Sequence, residues 1–534
     1  MTRTDSAIAG KAGPAVVAVV IFCIYVATLA PTVTYWDAGE FLSAIHSLGI
    51  PHPPGTPVFV FVANVWAKVL SPFAGFAYSI NLFSAASTAV ACGIAALLMQ
   101  RWTGDRWAAA AGGLTAGLMS SVWLNATETE VYSPALLVSL LLLLIADQAR
   151  TTRDRRWFVL LAYMLGFGWS LQLSALVAAP AAIFLALWRW PAQRDDFAGD
   201  RRALLSTSTA MALAAALGAS AVLFMLIRAR HDPAINQGNP ATWQALADVI
   251  TRRQYLPAAM LPRQAPLYLQ IGNMFEYADW QVALGLAPDP QPTFARTGAT
   301  LLFAALGVVG FRWHRKRNVP SWEAMTMLFI TATLGVVVYL NMKASPSYAQ
   351  EILGATAKHE ARERDYFFAL GFFSWGLWAG AGAVTTLRKL GRGGALAGVA
   401  LAMVPAVLNW KAVDRSRMPE AFAARDSAIR LLSRAPRNAV VFAVGDNDTY
   451  PVWYMQEVER FRRDVTPVTL PLLSAKWYRQ ELARRSLLLD AEYVDRWRGV
   501  GATYAQICVR SRALGRPFVA VDVTGAPPLP YACK

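Results

Sequence analysis

Charged side chains are scarce in this sequence. Asp, Glu, Lys and Arg make up 16% of its 534 residues, while 55% are hydrophobic. A soluble chain carries roughly a quarter charged residues, so a water-surrounded globule of this size is excluded. Histidine (5) and cysteine (4) are also sparse, and no Cys/His spacing resembles a zinc site. Cys23 and Cys92 sit inside apolar runs and read as inert core positions. Cys508 and Cys533 lie near the C-terminal end, where an oxidising compartment would allow a disulfide; sequence alone does not give the pairing. Internal repeats are absent, including the inverted halves typical of secondary transporters.

What the chain has instead is a series of apolar runs near the ~20 residues that a membrane-crossing helix needs. About eleven are expected: 14–34, 77–99, 107–124, 131–147, 158–172, 174–190, 204–227, 296–312, 322–341, 366–387 and 394–410. The two at 158–190 are short enough to be broken or re-entrant. The formal charge of +16 does not indicate nucleic acid, because no basic stretch is interleaved with aromatics. It reflects Arg and Lys gathered in alternate short connections: Arg101 and Arg106, Arg150 to Arg156, Arg194 to Arg202, Arg312 to Arg317, and Arg388 to Arg392. By the positive-inside rule these face the cytoplasm, and basic side chains there also attract anionic lipid. The first helix is read as retained, with the N-terminus inside.

The other face receives the longer pieces. They are a first outer loop at 35–75, a Pro-, Gln- and aromatic-rich loop at 228–295, a segment at 342–365, and a tail at 411–534 of respectable domain size. The transmembrane part is thus expected over 1–410 and a soluble domain over 411–534. In the tail, 439–444, 465–470 and 518–523 read as strands, and 420–433, 451–459 and 475–485 as helices. That alternation predicts a small α/β domain on an all-α polytopic membrane protein.

Four polar motifs fall on that outer face. Asp37 and Glu40 are three apart where the first span ends, so a helix there would present both on one side. The helix 38–48 and a second one at 58–70 read as interfacial, joined by the rigid turn His52-Pro-Pro-Gly-Thr-Pro57. A lone carboxylate pair would simply cap a helix. Ionisable groups at the mouth of a membrane bundle are costly and usually functional, which favours a site. His52 alone reads first as a structural hydrogen-bonder and second as a ligand for phosphate or sugar. Glu128 and Glu130 occupy a tight turn between spans, to be solvated, to fix the geometry of the first outer loop or to bind sugar hydroxyls. Arg362, Arg364 and Asp365 precede a span, as an interfacial anchor or a phosphate site. Asp446, Asn447 and Asp448 follow a strand and precede a helix, where α/β domains gather ligands and where an Asx turn is equally at home. That loop lacks further ligands for a cation, so no metal is assigned.

The ordered motifs Trp36-Asp-Ala-Gly-Glu-Phe41, His52-Pro-Pro-Gly55, Ala126-Thr-Glu-Thr-Glu-Val-Tyr132, Arg362-Glu-Arg-Asp-Tyr-Phe-Phe368 and Gly445-Asp-Asn-Asp-Thr-Tyr-Pro-Val-Trp-Tyr454 resemble a family of multi-pass glycosyltransferases of the GT-C type. It includes the animal enzymes that O-mannosylate certain receptor proteins, and many bacterial members. At Gly166–Gln172 the sequence lacks the His expected near Gln172. The resemblance implies an enzyme of the bacterial inner membrane with an extracytoplasmic site. It would move a sugar from a polyprenyl-phosphate donor to an acceptor hydroxyl, a protein Ser/Thr or a glycan. Mannose is suggested only through the animal relatives, and no cofactor is expected. Proton removal from the acceptor requires a carboxylate, for which Asp37 is the first candidate and Glu40 the second. A departing phosphate needs fixed cations, which Arg362 and Arg364 supply as bidentate donors, with His52, Glu130 and Asp365 beside them. The competing class is a transporter or lipid flippase, which buried mid-span charges would favour.

Overall fold

The computed structural model describes residues 3–188, 201–255, 260–287, 289–354, 357–391 and 393–520. Helices come first: α1 (Arg3–Ala27), α2 (Ala38–Ser47), α3 (Pro57–Ala74), α4 (Phe76–Thr103), α5 (Arg106–Leu118), α6 (Ser120–Ala126), α7 (Tyr132–Thr152), α8 (Arg155–Leu171), α9 (Ala179–Leu187), α10 (Arg201–Ala219) and α11 (Leu223–Ala229). Then follow α12 (Trp243–Ile250), α13 (Leu267–Ala283), α14 (Phe294–Arg317), α15 (Val319–Ile330), α16 (Val336–Leu340), α17 (Gln350–Leu353), α18 (Ala369–Leu387), α19 (Gly394–Ala402) and α20 (Val404–Val413). The tail runs α21 (Ala423–Arg434), β1 (Val440–Ala443), α22 (Asp446–Glu457), β2 (Thr466–Thr469), α23 (Lys476–Glu481), α24 (Ala491–Asp495), α25 (Val500–Ala513) and β3 (Phe518–Ala520).

Among the described residues, eight helices are long and apolar enough to cross a membrane, and all but one fall on expected runs. Of the other expected runs, 14–34 falls on α1, 107–124 is split at Met119 between α5 and α6, and the two at 158–190 form the shorter helices α8 and α9. The exception is α3, expected as an interfacial helix. Its geometry shows that it does not cross. It starts beside the His52 turn, Asn64 donates to the Ile45 carbonyl at 2.7 Å, and Trp66 donates to the Ser79 carbonyl at 2.7 Å. α4 then begins, and its Asn81 holds the Ala30 and Thr32 carbonyls at 2.8 and 3.1 Å. Both ends of α3 therefore stay at the level where α1 ends. Its outer side shows Phe61, Val65, Val69 and Phe73, as a helix lying in an interface would.

Small residues let the spans approach closely, as is usual in bilayers. A Cβ at Gly112, Gly376 or Gly380 would run into the facing backbone of α18 or α5. At the face opposite the site, Arg101 and Arg150 neutralise buried Asp147, and Arg388 pairs with Asp105. Arg296, fully buried at the start of α14, is held by Asp279 and by the carbonyls of Ala287, Asp289, Pro290 and Gln291.

The tail folds around a three-stranded parallel sheet of order β2-β1-β3. All four residues of β1 are buried, as a central parallel strand requires. The three expected strands are present, as is the helix following each of the first two. α22 begins at Asp446, ahead of the expected start at Pro451, because Asp446 and Asp448 in its first turn complement the helix dipole. Asp446, Asn447 and Asp448 thus form a helical turn, not a loop. The helix packs directly on α2; Gly39 faces the Tyr450 carbonyl with no room for a side chain. The pairing of Cys508 with Cys533 falls outside the described residues.

Candidate active site

The chain leaves α1 and turns at Trp36, which takes a left-handed φ of +62°. For a residue with a Cβ this conformation costs roughly 1–2 kcal/mol. Two contacts hold it: its N–H donates to Asn447 Oδ1 at 2.7 Å, and its indole lies under Arg362, 5.1 Å from guanidinium to ring centre. The next residue, Asp37, precedes α2 but makes no side-chain cap. Its Oδ2 instead stands 2.6 Å from Arg362 Nη2. Burial works to raise its pKa, but the charges of Arg362 and His52 outweigh it and hold the carboxyl below the usual range.

Glu40, one turn into α2, is fully buried. Its carboxylate accepts from the His52 backbone N–H at 2.6 Å, from Gln237 Nε2, and meets His52 Nδ1 at 2.5 Å. Burial disfavours charge on His52, yet Glu40 and Asp37 prevail and lift its pKa to about 9. The imidazole is therefore a cation at neutral pH.

Arg362 is sandwiched between the Trp36 and Tyr366 rings, and its Nε donates to Tyr366 Oη at 3.1 Å. Arg364 reaches the same hydroxyl at 2.6 Å and Glu360 at 3.2 Å, while its backbone N–H donates to Tyr277 Oη. Both guanidiniums are held firmly charged despite burial.

These groups open onto a cavity of about 790 Å³. Trp36, Asp37, His52, Arg362, Arg364 and Asp446 line it. Its outer wall comes from the 237–255 loop and from tail residues 471–480, which meet where Trp477 Nε1 donates to Gln254 Oε1 at 2.9 Å. Other expected site residues do not line it. Glu40 stands behind His52. Asp365 turns away and accepts from Ser121 Oγ at 2.5 Å. Asn447 supports Trp36, and Asp448 is buried in α22. Glu130 is buried behind Asp37, and its pKa rises to about 8, first through burial and then through the charges of Asp37 and Glu128. Glu128 braces the loop instead, accepting from Thr34 and Arg415 at 2.6 Å each.

Sequence reasoning missed Gln237, Arg253, Tyr255 and Trp477, which lie in stretches without a motif. Tyr366 stands inside the Arg362–Phe368 motif, but no role was assigned to it. A larger apolar groove of about 1310 Å³ lies between α13, α14, α15 and α18, with Glu276 and Ser347 among its lining residues. The ligand atoms of Asp37, Glu40 and His52 also lie within 4.8 Å of one another, the spacing of a metal-ligand group. Asp37 and Glu40 are engaged here by Arg362, His52 and Gln237.

Span-length helices, a small parallel sheet and a carboxylate–guanidinium cavity at one end of the bundle define a polytopic membrane protein with a charged site at its mouth. Residues 37–196 match the Protein O-mannosyl-transferase TMEM260 N-terminal domain, and residues 424–491 match the TMEM260-associated domain 2. Over these two segments the chain is similar to the TMEM260 proteins. It is 32% identical over 141 residues to the Mus musculus Protein O-mannosyl-transferase TMEM260, covering 25% of this chain and 20% of that one. The Dictyostelium discoideum counterpart is 27% identical over 111 residues, 21% of this chain and 14% of that one. The chain thus aligns with about a fifth or less of each relative's length. Among solved structures, ArnT from Cupriavidus metallidurans bound to undecaprenyl phosphate is similar with a TM-score of 0.45 at 13% identity, covering 89% of this chain and 92% of that one. The S. cerevisiae Pmt1-Pmt2 complex bound to the sugar donor scores 0.33 at 17% identity, covering 42% and 34%.

Proposed function

We propose that this chain is a membrane glycosyltransferase that moves a sugar, mannose in the first instance, from a polyprenyl-phosphate carrier to a protein Ser or Thr hydroxyl. The Asp37–Arg362 pair on the wall of the cavity carries this reading: a carboxylate held ionised lies beside a guanidinium aimed at the same space. The acceptor oxygen attacks the anomeric carbon as the bond from that carbon to the phosphate oxygen breaks. Asp37 takes the hydroxyl proton, and the carrier phosphate leaves with both bonding electrons. Arg362, Arg364 and the His52 imidazolium stabilise it. One displacement inverts the anomeric centre. The site faces the extracytoplasmic side, since the Arg-rich connections lie at the other face. The polyprenyl tail lies in the apolar groove of α13, α14 and α18. Tyr277 on α13 reaches from that side to the Arg364 backbone. The names of the TMEM260 relatives support a protein acceptor. A transporter is disfavoured because the buried Asp147 and Asp279 are locked in ion pairs.

The test is transfer by purified protein in detergent, with polyprenyl-phosphate mannose and Ser/Thr peptides. Asp37→Asn should bind donor yet lose turnover by about 10²–10⁴-fold. Full turnover by this variant would remove Asp37 as the base, and donor consumption without any glycosylated product would overturn the transferase reading.

A further inference from the structure

We infer that Asn447 is a positioning residue for this reaction: through the Trp36 backbone it holds Asp37 and Arg362 in register, so the tail domain completes the site instead of merely covering it. The inference rests on the reading of Asp37 as base.

Three observations carry it. Trp36 holds a left-handed φ of +62°, a conformation that a bulky residue keeps only when its surroundings impose it. The one side chain bonded to its N–H is Asn447, at 2.7 Å, from a segment 411 residues further along the chain. The same backbone turn sends the Trp36 indole under Arg362 and the next residue's carboxylate onto the Arg362 guanidinium. Releasing the turn would therefore move both partners of the catalytic pair together. The anchor itself is rigid. α22 starts directly after β1, and Gly39 lies against the Tyr450 carbonyl so closely that α2 and α22 are fixed to each other. Thr32 and Tyr454 meet at 3.5 Å further along the contact. Asn447 does not line the cavity, so it acts through Trp36 and not on substrate.

The experiment uses the full chain, with Asn447→Leu, which removes the acceptor oxygen at similar size, and Asn447→Asp, which keeps it. Hydrogen exchange of the Trp36 amide, read by mass spectrometry, reports the contact without turnover. Asn447→Leu should accelerate that exchange and lower kcat about tenfold or more, as misplaced catalytic groups do, with donor KM within about twofold and thermal midpoint near wild type. Asn447→Asp should keep both protection and turnover. With Trp36→Gly, which adopts positive φ freely, adding Asn447→Leu should cost much less kcat than it costs in wild type. Unchanged kcat in Asn447→Leu, or an equal loss in both backgrounds, would overturn the inference. So would a loss of kcat that merely follows a fall in thermal midpoint. If wild type transfers no sugar while Trp36 exchange still depends on Asn447, the transferase reading fails and the contact stands without its catalytic role.

Discussion

Asp37 and Arg362 are 325 residues apart in the chain, and their side chains meet at 2.6 Å. Arg362 is also stacked between Trp36 and Tyr366, a setting that uses the planar guanidinium as well as its charge. Lysine would keep the charge but lose the fork and the stacking. Arg362→Lys should therefore reduce donor use by about 10- to 100-fold, the range for lost hydrogen bonds to a charged group. Donor titration of transfer checks this. Near-normal donor use would reduce Arg362 to a counter-ion for Asp37.

The convergence of these motifs was legible because hydropathy and Arg-rich connections sort every polar segment onto one face or the other. That placed Asp37, His52, Arg362 and Arg364 together, but a phosphate role for the arginines rested on the family resemblance, and His52 read first as a structural hydrogen-bonder. The strands of the tail were also legible, from short β-branched runs between turn residues. What the sequence hid depends on tertiary contact. Nothing local distinguishes Gln237, which holds Glu40, or Trp477, which closes the cavity against Gln254. Asp365 was grouped with its arginine neighbours, yet the short helical turn that starts there sends it to Ser121 instead. Pro451 suggested a helix start, because Pro suits a first turn; the acidic turn before it began the helix earlier.

The membrane part should depend heavily on Arg296. It is fully buried, pairs with Asp279 and holds four carbonyls. Arg296→Met leaves Asp279 without its partner and strips a donor from each of those carbonyls, of which Pro290 keeps Trp280 Nε1, a loss of about 3–5 kcal/mol by analogy with broken buried pairs. Thermal unfolding in detergent should show a large fall, partly recovered by adding Asp279→Asn. A midpoint unchanged by Arg296→Met would mean that water replaces the guanidinium.

Orientation can be read in intact cells. Single cysteines at Ser71 and Ser433, on the face of the site, should react with an impermeant thiol reagent. One at Thr152, exposed at the opposite face beside Arg153, should react only after permeabilisation. Labelling of Thr152 in intact cells would reverse the orientation and remove the extracytoplasmic site.

Glu130 offers a test by pH. Its carboxyl is buried beside Asp37 and Glu128, and its pKa is about 8 against an ordinary value of 4.5. Between those values the folded chain binds a proton that the unfolded chain has lost. The stability it contributes is thus fully present below about 4.5, falls as pH rises, and is gone above about 8. Glu130→Gln mimics the neutral acid and removes this slope. Wild type should lose thermal stability from pH 5 to 8 more steeply than Glu130→Gln, and the variant should be the more stable of the two at pH 8.5. Parallel curves would show that Glu130 is already ionised at pH 5, held by a cation or water at the site, and that burial does not govern its charge.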